Sequence, residues 1–223
     1  MTTGRLIFMR HGETQYNAEE RMTGRADIPL TSKGEEQGRA VGAVVKHFEI
    51  DVLYASPLQR AFNTMVLALE SAGGAHNHLK NADGTWNINQ RDSLKEKDVG
   101  IYTGSHKSEL AKTNHVQTYD NKLPEGESNR EVVERVLDLY ENEILPLIKE
   151  GKTVFLSCHA VVMRALLVVI GDIAAETMHE HKVPNATPIM AEYKHGQKLS
   201  SRVLDPASFK NKAVVVKRPA NKK

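Results

Sequence analysis

The sequence predicts an α/β fold in three layers, a mostly parallel sheet covered by helices on both faces. Three observations carry that prediction. Short apolar runs alternate with longer segments whose apolar residues recur at helical spacing, the order of a chain that winds strand, helix, strand. The runs at residues 6–9 (Leu-Ile-Phe-Met) and 153–158 (Thr-Val-Phe-Leu-Ser-Cys) are continuous rather than alternating, as strands buried on both faces require. Each is followed within two residues by a histidine, His11 or His159, which is the wrong chemistry for continuing through a core.

With 223 residues, 40% hydrophobic and 26% charged, the chain has the composition of a soluble globular protein. No repeat or low-complexity linker divides it, so one domain is expected over residues 1–209, followed by a basic, disordered tail at 210–223. The tail holds Lys210, Lys212, Lys217, Arg218, Lys222 and Lys223 and no acid, so the net charge of +2 conceals an acidic body. Terminal charge runs are usually solvated, and the body shows no basic stripe. Neither nucleic acid nor a membrane is therefore expected as a partner. The single cysteine, Cys158, excludes an intramolecular disulfide framework. The run at 6–9 is too short for a signal-peptide core, and the one at 160–170 is interrupted by Arg164 and too short for a span. A cytoplasmic location is the expectation.

Residues 17–30 are polar and turn-rich. A helix is expected from Thr31 or Ser32, with Ser32 and Glu35 as a capping box and Ala40, Val41, Val44, Val45 and Phe48 as its buried face. Residues 51–55 read as a short strand, then Ser56-Pro57 as cap and first turn of a second helix. Leu58, Ala61, Phe62, Met65, Val66 and Leu69 bury that helix, which ends near Gly73-Gly74. Residues 75–93 read as a loop with an edge strand around Trp86 and Ile88. A short helix at 105–113 is followed by a long one capped by Ser128 and Glu131. Val132, Val133, Val136, Leu139, Tyr140 and Ile144 line its apolar side, with Pro146 near its end. After the strand at 153–158 come helices at 160–170 and 174–181, then late strands at 189–193 and 202–204.

Ligands of open α/β sheets bind beyond the carboxyl ends of the strands. There the chain presents Arg10 and His11, Arg60 just inside a helix start, and His159. Two guanidiniums match the charge and the fork geometry of a phosphate monoester. Each charge-assisted hydrogen bond contributes about 1.5–3 kcal/mol. A neutral His11 can attack phosphorus in line and carry the phosphoryl group as a phosphohistidine, provided its other ring nitrogen is held by an acceptor. The leaving alkoxide then needs a proton from a carboxyl group placed where the substrate's charge favours the protonated form. Glu96 is one candidate, with Glu13 and Asp98 beside it. Cys158 reads as a small buried hydrophobe. The pairs His76/His78 and His179/His181 do not make a metal set, since i, i+2 residues do not share a helix face and two ligands are too few.

These residues resemble the motifs of the histidine phosphatase superfamily, and more closely its cofactor-dependent phosphoglycerate mutase branch. Arg10-His11-Gly12-Glu13-Thr14 with Asn17 is similar to the signature around that family's nucleophilic histidine. The stretch from Arg21 through Thr23 and Gly24 to Thr31 resembles the segment that follows it, with Arg25 where tryptophan is usual. Ser56-Pro57-Leu58-Gln59-Arg60-Ala61 resembles the second phosphate-arginine motif, and Leu94 and Glu96 with Gly100 and Gly104 the general-acid loop. Ser157-Cys158-His159-Ala160 with Arg164 resembles the second-histidine motif, with Ala160 where glycine is usual. Residues 123–128 and 184–189 resemble further mutase-branch segments.

The resemblance implies that His11 is the phosphorylated nucleophile and Glu96 the acid. Arg10, Asn17, Arg60 and His159 would form the phosphate pocket; Thr23, Gly24, Lys107 and Ala160 would meet the rest of a small phosphorylated metabolite. No metal is implied, and 2,3-bisphosphoglycerate would be the cofactor only of a mutase. A homo-oligomer is left open. Val116 and Gln117 stand where the mutase branch carries two adjacent arginines for the far end of a phosphoglycerate, and Val99 where an aromatic is usual. Losing two guanidiniums weakens the hold on the departing alcohol, which tilts the expectation toward hydrolysis unless Arg91 or Arg130 fills the gap. Phosphoglycerate mutase activity is the alternative, and an inactive binder of phosphorylated ligands the second.

Overall fold

The structure is a computed structural model and describes residues 3–113 and 118–205. Its strands are β1 (Thr3–Arg10), β2 (Val52–Ala55), β3 (Ile88–Gln90), β4 (Thr153–Cys158), β5 (Ile189–Lys194) and β6 (Gln197–Val203). The helices are α1 (Gln15–Ala18), α2 (Ser32–Val45), α3 (Gln59–Glu70), α4 (Lys107–Ala111), α5 (Asn129–Leu139), α6 (Leu145–Lys149) and α7 (Ala160–Val169). The six strands form one sheet in the order β3-β2-β4-β1-β5-β6. The first four of that order run parallel, and β5 and β6 add an antiparallel hairpin at the edge. The sheet is thus mixed: its parallel part runs from the β3 edge to the central strands β4 and β1, where the continuous apolar runs lie.

Side chains alternate across the pleat, so each central strand feeds two cores. Leu6 and Phe8 join Val154, Leu156 and Cys158 on one face, against Val132, Val136, Val162 and Leu166 of α5 and α7. Ile7 and Met9 join Leu53 and Phe155 on the other, against Val41, Val44, Met65 and Leu69 of α2 and α3. Complete burial of each large apolar side chain contributes about 1.5–3 kcal/mol, so these two layers hold the sheet between its helices. Burial also pushes the Cys158 thiol well up, in keeping with a packing role.

Several local expectations are corrected. The N-cap of α2 is Thr31, whose hydroxyl accepts from Gly34 N–H, not Ser32, and Ala40 is exposed. Helix α3 starts at Gln59 after an uncapped Leu58; Ser56 is drawn inward, and Phe62 and Val66 are only half-buried. Ser128 and Glu131 do form the reciprocal cap of α5. Pro146 does not end that helix: a π-turn at Tyr140–Ile144 precedes it, and Pro146 sits in the first turn of α6, where its missing N–H costs nothing. The helix expected at 174–181 shrinks to a 3₁₀ turn, Met178–Glu180. The last strand begins at Gln197, five residues before the apolar signal at Arg202-Val203. The tail at 210–223 and the pair Val116 and Gln117 lie outside the described residues. Among the described residues no helix is long and apolar enough to cross a membrane.

Candidate active site

The site follows from strand register. β1 and β4 pair in parallel with Arg10 opposite Cys158, and His11 N–H continues the ladder to the Cys158 carbonyl at 3.0 Å. Neighbouring strands lie about 4.8 Å apart, so the residues just beyond two ends in equal register become neighbours. His11 and His159 do, with ring centroids 5.1 Å apart and rings inclined at 60°. β2 ends one residue short of β4, Ala55 opposite Ser157, and Ser56 N–H continues that ladder to the Ser157 carbonyl at 3.0 Å, which brings Ser56 beside His159.

Each imidazole is held at one nitrogen. The Nδ1–H of His11 donates to the Gly12 carbonyl at 2.6 Å; a carbonyl only accepts, so Nε2 keeps its lone pair. Nε2 of His159 meets the Ser56 hydroxyl at 2.8 Å, and that oxygen also accepts Leu58 N–H at 3.3 Å. Burial holds both rings well below the usual histidine range, helped by Arg10 and Arg60 beside His11 and chiefly by Arg60 beside His159. Both are neutral at pH 7. The turn that carries His11 is possible because Gly12 and Gly34 lack side chains: a Cβ on Gly12 would stand 2.2 Å from the Gly34 carbonyl oxygen.

The cations flank these rings. Arg60, fully buried, donates from Nη1 to the Ala26 carbonyl (2.6 Å) and from Nη2 to the Gly24 carbonyl (2.9 Å). Burial lowers its guanidinium to about 10, still charged at neutral pH. Arg10 donates from Nη1 to the Val183 carbonyl at 3.0 Å, and burial lowers it as well. Nε of Arg10, Nε of Arg60 and Nδ1 of His159 are buried polar atoms without a protein partner among the described residues. Leaving such atoms unpaired costs about 1–3 kcal/mol each, and an anion with several oxygens is the ligand that would relieve all three.

A cavity of about 380 Å³ opens over this group. Nine of the ten residues singled out from sequence line it: Arg10, His11, Asn17, Thr23, Gly24, Arg60, Glu96, Lys107 and Ala160. The tenth, His159, is fully buried and is not among the lining residues; its ring lies edge-on to that of His11. Asn17 is fixed by α1, its Oδ1 accepting from Thr14 N–H in a capping box and from Asn185. Glu96 sits over the start of α7: Oε2 accepts from Ala160 N–H (3.1 Å), Oε1 from Val161 N–H (3.2 Å) and Lys97 N–H (2.9 Å). Glu13, the competing acid, instead faces Lys33 and Thr31, and Asp98 faces Gly100 N–H and Arg25.

The wall also contains Arg164 and Val99, which sequence reasoning placed in motifs without a role, and Arg21, Lys97, Met22, Leu110 and Val161, which it did not assign to the site. Arg164 was findable: it lies four residues after Ala160, one turn along the same helix face. Its Nε is tied to the His181 carbonyl at 2.7 Å. Among the described residues no group of three or more His, Cys, Asp or Glu side chains is placed to hold a metal ion.

The neutral histidines make a stability prediction. His11, His159 and the buried His76 all have folded pKa values below the ordinary 6.5, through burial first. As pH falls through 6.5 the unfolded chain takes up protons that the folded chain refuses, so the stability present above that pH is progressively lost below it. Tm should fall between pH 7 and about 5.5, and His76→Gln should flatten the slope. A Tm independent of pH in that window would contradict the burial argument.

Comparison with known proteins completes the picture. The profile of the histidine phosphatase superfamily (branch 1) matches residues 6–206. A 2,3-bisphosphoglycerate-dependent phosphoglycerate mutase of Methanosarcina acetivorans is 28% identical over 244 residues, spanning 92% of this chain and 98% of that protein. Mycobacterial glucosyl-3-phosphoglycerate phosphatase superposes with a TM-score of 0.73 at 21% identity, covering 90% of this chain and 97% of that one. Phosphoserine phosphatase from Entamoeba histolytica, solved with 3-phosphoglyceric acid, gives 0.71 at 22% identity, covering 91% and 97%. A profile that runs from the first central strand past the last, over a sheet whose parallel ends bring two histidines together, places the chain by descent as well as by chemistry: it belongs to the histidine phosphatase superfamily, on its phosphoglycerate mutase-like branch.

Proposed function

We propose that this phosphoryl-transfer enzyme moves the phosphoryl group of a small phosphomonoester onto Nε2 of His11 and passes it to water more readily than to a second alcohol. The observation that carries this reading is the neutral His11, its Nδ1 spent on the Gly12 carbonyl, in a cavity walled by Arg10 and Arg60. In the first half-reaction the Nε2 lone pair forms a bond to phosphorus. The ester P–O bond breaks, its electron pair stays on the alcohol oxygen, and that oxygen takes a proton from the Glu96 carboxyl. In the second, Glu96 accepts a proton from water as the water oxygen attacks phosphorus; the N–P bond breaks and its pair returns to Nε2. Arg10, Arg60, Asn17 and His159 bind the phosphoryl oxygens, while Thr23, Gly24, Lys107 and Ala160 meet the alcohol.

The preference for water is supported by what surrounds the alcohol. Met22, Val99, Leu110 and Val161 form the apolar part of the cavity wall, and the chain carries Val116 and Gln117 in place of two guanidiniums. An alcohol that lacks those two donors leaves more readily before it can be rephosphorylated. Phosphoserine and phosphoglycerate esters, named in the structural relatives, are the first substrates to try. The mutase reading is favoured by the names of the sequence relatives. Arg10, Arg60 and Lys107 suit the charge of 2,3-bisphosphoglycerate, which in a mutase supplies the phosphoryl group that primes the histidine.

One experiment separates these readings. The enzyme is given 3-phosphoglycerate with and without 2,3-bisphosphoglycerate, and inorganic phosphate and 2-phosphoglycerate are both followed. Phosphate release without need of the bisphosphate supports hydrolysis; 2-phosphoglycerate formed only with it would overturn that preference. Tight binding of phosphate esters, with no alcohol released from any of them, would identify a silent binder.

A further inference from the structure

We infer that Glu127 is a positioning residue for the proton donor, clasping the loop that carries Glu96 from outside the cavity. This inference rests on the reading of Glu96 as the acid. Glu127 does not line the cavity, yet both its carboxylate oxygens are engaged. Oε2 accepts Asp98 N–H at 2.9 Å and Arg135 Nη2 at 3.2 Å; Oε1 accepts Arg25 Nη2 at 2.9 Å and Arg135 Nε at 3.1 Å. Its own N–H donates to the Asp98 carbonyl at 3.0 Å, so Asp98 is gripped at both backbone atoms. At the other end of the loop, Arg135 Nη1 donates to the Ser93 carbonyl at 2.6 Å.

Glu96 hangs between these two anchors. Its carboxylate must sit over the first N–H groups of α7 and within reach of the leaving oxygen, yet it belongs to a stretch with no strand or α-helix to stiffen it. The Glu127–Arg135 pair supplies that stiffness. Both side chains are over four-fifths buried, at 17% and 18% exposure, so their hydrogen bonds are shielded from water. Arg25 adds a third wall. It follows Gly24, whose carbonyl holds Arg60, so one carboxylate ties the acid loop to the segment that braces the phosphate arginine. The chain therefore sets the distance between proton donor and phosphoryl group through a residue that touches neither.

A misplaced proton donor matters only when the leaving group needs a proton, and that makes the test specific. As the P–O bond breaks, an alkyl alcohol must be protonated, whereas nitrophenolate leaves as a stable anion. Full-length wild type, E127Q and E96Q are compared on p-nitrophenyl phosphate and on an alkyl phosphate the enzyme hydrolyses. E127Q should lose about 10²-fold in kcat/KM on the alkyl ester but stay within about threefold of wild type on the nitrophenyl ester, the same split as E96Q. The double variant should be no slower than E96Q alone, since both act through one proton. Equal loss on both esters would reduce Glu127 to a structural part and overturn the inference, as would wild-type behaviour on both. Absence of the split in E96Q itself would instead remove the reading of Glu96. Should E127Q not fold, Arg135→Lys, which keeps the charge but not the fork, must show the same split; equal loss on both esters there would also overturn it.

Discussion

His11→Ala abolishes the phosphorylated enzyme and lowers turnover by about 10⁴-fold or more. The expectation follows from geometry rather than from the histidine alone. With Nδ1–H fixed on a backbone carbonyl, the ring presents one tautomer and one lone pair, and no side-chain rotation can exchange them without losing a 2.6 Å hydrogen bond. Because burial and two guanidiniums keep the ring neutral, that lone pair persists well below the ordinary histidine pKa. His159, 5.1 Å away, does not substitute: its Nε2 is engaged by Ser56, which leaves it to bind the phosphoryl group rather than attack it. Rapid quench with a radiolabelled ester should trap an acid-labile, base-stable label on wild type and none on the variant. Label retained by His11→Ala, or turnover within about tenfold of wild type, would move the nucleophile elsewhere.

Arg60→Met is expected to lower kcat/KM by about 10²–10⁴-fold, the effect of losing two charge-assisted hydrogen bonds of about 1.5–3 kcal/mol each. It should lower Tm as well. The guanidinium holds the carbonyls of Gly24 and Ala26, and these would be left with one partner fewer in a dry setting. Arg60→Lys keeps the charge but cannot reach two carbonyls and a phosphoryl oxygen at once, so it should fall between wild type and Arg60→Met. Vanadate or phosphate affinity measured on folded protein separates the two effects. A folded Arg60→Met with unchanged kcat and KM would remove Arg60 from the chemistry.

Where burial on both faces decided the structure, the sequence was readable. Thr153–Cys158 is apolar enough to admit no other reading, and the Ser128/Glu131 cap has one chemical meaning. The first part of β6 escaped because Gln197–Val203 is an exposed edge, with Leu199 and Val203 pointing into solvent, so no hydrophobic period marks its start. Ser56 was misread for a different reason. A serine before proline has the signature of a helix cap, and only the pairing of β2 with β4 reveals that its hydroxyl serves an imidazole 103 residues away. The chemistry at the strand ends was legible because cations and imidazoles have no place in a buried strand. The second partners were not: the Gly12 carbonyl that sets the His11 tautomer belongs to the backbone, which every sequence shares.

The direction of the edge hairpin has a practical consequence. β5 is antiparallel to β1 and β6 antiparallel to β5, so β6 runs with β1, and Val203 lies level with Ile189 and, one strand on, with Phe8. The described chain therefore leaves the sheet at the end where Arg10 and His11 emerge, two strands or about 10 Å to the side. Its start, Thr3, is at the opposite end. A fluorescent reporter joined directly ahead of Thr3 begins away from the catalytic mouth, whereas one joined directly after residue 205, in place of residues 206–223, begins on the mouth's side and is the better placed to report, or disturb, the arrival of substrate.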